Sequence, residues 1–219
     1  LRSKQVRYLR QLFFNLFLSP LVDFFLPIGQ QNRQFYQLYG VPERKLLQLP
    51  YVVDNARFQG EAQQYEGLRA SLCAEWGLDP QRRIFLLVGK YISKKRPLDL
   101  LWAYAQMAKR QQAALILVGE GELRQELETL IARENLEQVL LTGFVNQGQI
   151  GRYYAVADVL VMCSESGETW GLVANEAANF ALPLLLSNRI GCAVDLVQEG
   201  ENGFVYPCGN VEQLSTLMD

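Results

Sequence analysis

"IFLLVGKYISKKRPLDLLWAYAQMAKRQQAALILVG" occupies residues 84–119. It holds two short apolar runs, at 84–88 and 114–118, each closed by a glycine. Runs of this length are too short for a helix. They also have no polar side to turn to water, which is how strands of a parallel sheet covered on both faces read. Between them, 98–109 reads as an amphipathic helix. It starts directly after Pro97, a residue suited to the first helical turn. Strand, helix and strand in that order make a crossover between parallel strands.

The same unit continues outward. Apolar runs at 139–141, 159–162, 184–186 and 204–206 each end in turn residues. Leu123, Leu127, Leu130 and Ile131 stripe one helix, and 149–157 and 170–180 follow the same plan. The alternation predicts an α/β fold, a Rossmann-like parallel sheet with helices on both faces.

Upstream the character changes. Residues 24–28 read as a strand, 30–39 as a helix closed by Gly40, and 46–53 as extended chain around Pro50. A helix is expected over about 61–76. We therefore divide the chain into 1–51, the tail of a preceding domain, 52–60, an interdomain link, and 61–219, the Rossmann-like domain. The chain starts at Leu1 and stops at Asp219 inside a helical pattern, so a fragment of a longer protein is expected. The apolar stretch 12–27 is interrupted by Asn15, Pro20 and Asp23 and is too short for a membrane span. A buried helix and strand are expected there; the alternative is an amphipathic foot on a membrane face, flanked by Arg7 and Arg10.

Composition excludes several chemistries. The sequence has 21 Lys and Arg against 23 Asp and Glu, without the basic surplus of a nucleic-acid partner. It has no histidine. That removes Ser-His-Asp hydrolysis, a His base and His-containing zinc sites. The four cysteines form no C-x-x-C pair, so no metal ribbon or redox motif is expected, and reduced thiols in a cytoplasmic protein are the simplest reading. No D-x-D frame is present to hold Mg²⁺ for a sugar nucleotide. No secretory signal is visible. The expected location is the cytoplasm, free or at the cytoplasmic face of a membrane.

Ligands of open α/β sheets bind beyond the carboxyl ends of the strands. There lie Gly89-Lys90, then Lys94-Lys95-Arg96; Gly119-Glu120-Gly121; Gly143-Phe144-Val145; and the loop 164–171. Lys90 and Lys95 suit a diphosphate, although a solvated basic loop would read the same way. Gly119-Glu120-Gly121 lacks the third glycine of a dinucleotide fingerprint and reads more simply as a tight turn. In "ETWGLVANEA", residues 168–177, Gly171 opens a helix and Glu176 lies five residues further, about 7.5 Å along the axis at about 1.5 Å per residue. A carboxylate at each end and a glycine-lined seat between them fit a nucleotide-sugar, whose vicinal hydroxyls a carboxylate can accept. An acidic first turn favoured by the helix dipole, plus an unrelated glutamate, fits the residues equally well.

Glu168-x7-Glu176 resembles the E-x7-E motif of the retaining glycosyltransferases of the group-1 type, glycosyltransferase family 4. "LVGKYISKKRPLDLLWAY" is similar to their phosphate-binding segment, and "LILVGEGELRQELE" to their second strand-turn-helix. "LLTGFVNQGQIGRYYAVADVLVMCS", "IGCAVDLVQEGENGFVYPCGN" and "LPYVVDNARF" resemble the lead-in to the motif, the segment after it and the interdomain link. The resemblance implies a GT-B fold, of which this chain would hold the C-terminal half. It implies a nucleoside-diphosphate sugar donor and a glycan or lipid-linked acceptor, with 1–51 the end of a truncated acceptor-side domain; a peripheral membrane contact is the alternative that the stretch 12–27 offers. No metal or cofactor is implied, the nucleotide-sugar being substrate. By resemblance Lys90 and Lys95 hold the diphosphate, Glu168 the transferred sugar and Glu176 the ribose. Gly89, Thr169 and the backbone of Trp170, Gly171 and Leu172 would seat phosphate or sugar, and Phe144 and Val145 would line the base pocket. The family usually has arginine at Lys90 and glycine at Arg96 and Ala181. The rival readings are an inactive nucleotide-sugar-binding GT-B-like domain and a nicotinamide-binding Rossmann protein.

Overall fold

The structure, a computed structural model, describes residues 4–165 and 167–219. All six apolar runs are strands: β1 (Arg83–Val88), β2 (Ala113–Val118), β3 (Val139–Leu141), β4 (Val159–Met162), β5 (Leu184–Ser187) and β6 (Gly203–Tyr206). They form one sheet in the order β3-β2-β1-β4-β5-β6, with every neighbouring pair parallel. The helices, among the described residues, are α1 (Lys4–Phe13), α2 (Gln30–Leu38), α3 (Asn55–Gln64), α4 (Arg69–Trp76), α5 (Pro97–Gln106), α6 (Arg124–Arg133), α7 (Gly151–Val156), α8 (Leu172–Ala178), α9 (Ala193–Leu196) and α10 (Val211–Met218).

Strand side chains alternate between faces. Phe85, Leu87, Leu115, Leu117, Val161 and Leu185 join one core with Leu100, Leu101 and Tyr104 of α5, Leu127 and Leu130 of α6, and Leu214 and Met218 of α10. Their neighbours Ile84, Leu86, Ile116, Leu160 and Leu186 are fully buried on the other face. There α7 lies against β1, and α8 turns the buried Ala174 and Ala177 inward. Burial on both faces is why these strands carry no polar alternation.

The chain divides into two compact units, Leu1–Val52 and Val53–Asp219. In the first, Phe25, Val41 and Leu46 form a small core with Phe14, Val22 and Tyr36. The strand expected over 24–28 is a single bridge, Phe25 to Leu46, too short for a ladder. The stretch 12–27 is not buried throughout. Helix α1 passes into a π-helical turn (Phe14–Leu18) that brings Phe14 inward, stacked on Tyr39 at 5.1 Å, and leaves Phe13, Leu16, Phe17, Leu21 and Phe24 exposed. Among the described residues no helix is long and apolar enough to cross a membrane.

In the second unit the helix expected over 61–76 is two helices, α3 and α4, separated by a turn at 65–67. The first begins at Asn55, capped by Asp54, whose side chain accepts from the Arg57 amide at 3.0 Å. Residues 55–60, expected as link, are thus helical. Phe58 is only 1% exposed, between Tyr154 and Phe180. At the amino ends of β1 and β4, Arg69 forks onto Asp158 at 2.8 and 3.0 Å while Asp158 accepts from the Ile84 amide.

Candidate active site

The strand order reverses between β1 and β4, the switch point at whose carboxyl ends open α/β sheets take their ligands. Lys90 to Arg96 leaves β1 on one side, and the loop after Met162 leaves β4 on the other. The first ends in a 3₁₀ turn (Ser93–Lys95) that presents the basic run. Lys95 Nζ pairs with Glu168 Oε2, both side chains mostly buried at 22% and 15% exposure. Lys94 Nζ donates to the Gly167 carbonyl at 2.6 Å, and the Glu165 amide donates to the Lys94 carbonyl at 2.9 Å. Arg96 forks onto Asp99 at 2.7 and 3.1 Å and faces Glu165 at 3.9 Å. Lys94 and Lys95 thus bind one loop to the other, and Arg96 approaches that loop at Glu165. The intervening Ser166 lies outside the described residues.

Beyond Glu168 the chain pairs with the segment after β5. Glu168 bridges Ile190, its carbonyl accepts from the Gly191 amide, and the Trp170 carbonyl accepts from the Cys192 amide. Trp170 is buried, and its indole N–H donates to Asn175 Oδ1 at 2.7 Å. Gly171 has φ 102°, and a Cβ there would stand 3.0 Å from Met162 Cε and 3.2 Å from Ile190 Cγ2, so a side chain at this entry to α8 would be both strained and crowded. Burial pushes the Cys192 thiol up to about 12 and the Cys163 thiol likewise, which keeps both protonated at neutral pH.

Glu176 is half-buried on α8 and accepts from the Tyr154 hydroxyl at 2.6 Å. Burial raises its carboxyl above the usual range, opposed by hydrogen bonds from Tyr154 and Gln147 and by the Arg57 charge, and assisted by Glu61. Arg57 in turn donates to Glu61 at 2.7 Å and to the Gln147 carbonyl.

The expected residues divide accordingly. Lys95 and Glu168 are brought into contact, and Gly89 lies beside them, a Cβ there standing 3.8 Å from the Lys95 side chain. Lys90 is exposed and has no ion-pair partner among the described residues. Phe144 is 81% exposed on the loop after β3, beside the half-buried Val145. The Gly119-Glu120-Gly121 turn has a packing reason: a Cβ on Gly119 would stand 1.9 Å from the Gly89 carbonyl oxygen. Tyr154, Arg57 and Glu61 were not visible as site residues. Tyr154 reads as part of a helix stripe, and the other two lie at or beside the expected link.

The geometry meets independent comparisons. Residues 70–219 match the family described as "Glycosyl transferases group 1". This chain belongs to that family. The sulfoquinovosyl transferase of Arabidopsis thaliana is 33% identical over 143 residues, which are 64% of this chain and 26% of that protein. A glycosyltransferase of Rickettsia africae superimposes with a TM-score of 0.80 at 18% identity, covering 95% of this chain and 55% of the other. HepE of Anabaena, solved in complex with UDP and with UDP-glucose, gives a TM-score of 0.78 at 21% identity in its UDP complex, covering 99% of this chain and 59% of its own. The chain thus spans about a quarter of that curated relative and little over half of those two structures. The fold shared with these glycosyltransferases is the Rossmann-like sheet of GT-B enzymes.

Proposed function

We propose that this group 1 member transfers a sugar from a nucleoside diphosphate to a glycan or lipid-linked acceptor, with retention of configuration and without a metal ion. The observation that carries the reading is the Lys95–Glu168 ion pair at the switch point of the sheet. A largely buried ammonium held by a carboxylate exchanges that partner readily for a diphosphate, which offers more charge and more acceptors. The exchange frees Glu168 for the hydroxyls of the transferred sugar. Lys90, exposed two residues past β1, adds a second cation. The UDP and UDP-glucose complexes of HepE support a nucleotide-sugar as the donor class.

In this reading Glu176 receives the ribose hydroxyls, Phe144 and Val145 flank the base, and Gly89 with Thr169, Trp170, Gly171 and Leu172 surround the phosphates and sugar. The transition state is oxocarbenium-like at the anomeric carbon. Lys90 and Lys95 meet the charge that develops on the departing diphosphate. The exposed side chains of Leu9, Phe13, Leu16 and Phe17 would meet a membrane surface, a contact that co-sedimentation with vesicles tests.

Calorimetry with UDP, GDP, ADP and NAD tests the donor class. A nucleoside diphosphate should bind and NAD should not. Lys95→Ala should weaken the nucleoside diphosphate and spare the nucleoside. Glu176→Ala should cost about 1.5–3 kcal/mol, roughly tenfold or more in affinity. Unchanged binding in that variant would remove the ribose assignment. Product anomers resolved by proton NMR decide retention, and absence of turnover in a chain that also carries a whole acceptor-side domain would favour the inactive binding domain.

A further inference from the structure

We infer that Tyr154 is a positioning residue for Glu176: its hydroxyl holds one carboxylate oxygen so that the other meets the ligand's vicinal hydroxyls. The inference rests on the reading of Glu176 as the ribose acceptor.

The ring of Tyr154 has no freedom to turn away. It is fully buried, stacked on Phe180 at 5.3 Å with an interplanar angle of 29°, and met edge-on by Phe58 at 6.4 Å and 86°. Its hydroxyl donates to Glu176 Oε2 at 2.6 Å, within the short range of an O–H donor on a carboxylate. Burial and the neighbouring carboxylate push the phenol well above 10, so this group stays a proton donor across the working pH range. Glu176 sits half-buried on α8, with Tyr154 and Gln147 as its hydrogen-bond partners. The hydrogen bond fixes it from α7, and Phe58 fixes Tyr154 from α3.

The same bond sets the ionisation of Glu176. The groups facing the carboxylate are Arg57 and Glu61 from α3, Gln147 from the loop before α7, and Tyr154. Burial and Glu61 favour the neutral acid; Tyr154, Gln147 and Arg57 favour the carboxylate. The carboxylate accepts from the ribose hydroxyls more strongly than the neutral acid, one of whose oxygens carries a proton. Removing the Tyr154 hydroxyl therefore raises the proton affinity of Glu176 further and costs ligand affinity first on the acid side.

The test is Tyr154→Phe, which keeps both ring contacts. Binding is measured with whichever of UDP, GDP and ADP the parent chain binds most tightly, with its 2′,3′-dideoxy analogue, and with inorganic pyrophosphate. We expect Y154F to weaken the nucleoside diphosphate by about three- to tenfold, with the acid limb of affinity moved to higher pH. The dideoxy analogue and pyrophosphate should bind as in the parent. In the Glu176→Gln background, Tyr154→Phe should change nothing. Equal losses for all three ligands, or the same loss in the E176Q background, would overturn the inference. If E176Q itself leaves nucleoside diphosphate affinity unchanged, the ribose reading fails; if E176Q weakens it and Y154F does not, only this inference fails. Should Y154F unfold, the double variant decides. Restored folding in Y154F/E176Q supports a hydroxyl that acts through the carboxylate, and no restoration overturns it.

Discussion

Ala181 and Arg96 stand in left-handed backbone conformations, with φ of 55° and 49°. These are the two positions at which the family resemblance leads one to expect glycine, and the backbone supplies the reason. An L-residue with a Cβ costs roughly 1–2 kcal/mol there, a strain that glycine escapes. The two sites differ in what the side chain returns. Ala181 is exposed beyond α8 and its methyl group makes no polar contact, so Ala181→Gly should stabilise by about 1 kcal/mol. Arg96 contributes the fork onto Asp99 and the approach to Glu165, and charged hydrogen bonds of that kind are worth about 1.5–3 kcal/mol. Arg96→Gly should therefore destabilise despite the relieved backbone. Urea midpoints at constant slope check both signs. The contrast also shows what was legible at this scale. The departures from glycine could be seen in the sequence, but the compensating partners could not, because Asp99 stands in the first turn of α5 and Glu165 on the loop after β4. Tyr154 escaped for a similar reason. A tyrosine on an apolar helix face has the spacing of a core residue, and its ring is one; only its hydroxyl reaches the site.

Helix α3 is the element on which sequence and structure differ most. Its start signal was present in Asp54-Asn55, and Asp54 does cap it. Yet Gly60 lies within the helix and polar residues surround it, which lowers helical propensity and makes 52–60 read as connecting chain. Tertiary packing overrides this through one side chain, Phe58, which is buried against Tyr154 of α7 and Phe180 beyond α8. Phe58→Ala should cost about 3–5 kcal/mol, the range for removing a buried aromatic ring. Asp54→Ala should cost about 1 kcal/mol through the lost cap. Chemical denaturation separates the two magnitudes. A further consequence distinguishes α3 from a passive cover: Phe58→Ala also loosens Tyr154, so nucleoside diphosphate affinity should fall in that variant and remain near the parent value in Asp54→Ala. If affinity tracks stability in both variants alike, the link from α3 to Glu176 is general packing.

At the scale of the molecule, the strands were legible because burial on both faces erases polar alternation, whereas their order was not. Parallel pairing such as Arg83 with Ala113, or Phe85 with Val159, leaves no mark on a single run of apolar residues. That order places β1 beside β4, and with it the crevice where Lys95 meets Glu168. It also puts the proposed donor site within one unit. Every residue proposed for donor recognition, from Gly89 to Glu176, belongs to Val53–Asp219, as do α3 and α7, which support Glu176. Leu1–Val52 has its own small core around Phe25, Val41 and Leu46 and supplies none of these side chains. We therefore expect residues 53–219, produced alone, to unfold cooperatively and to bind the preferred nucleoside diphosphate within about twofold of the affinity of residues 1–219, a difference under about 0.5 kcal/mol. Salt should weaken binding to the same degree in both, since on the proposed reading the same lysines meet the diphosphate. Calorimetric titration of the two chains side by side measures this. A loss of tenfold or more in the shorter chain, with its thermal transition intact, would mean that residues 1–52 take part in holding the donor.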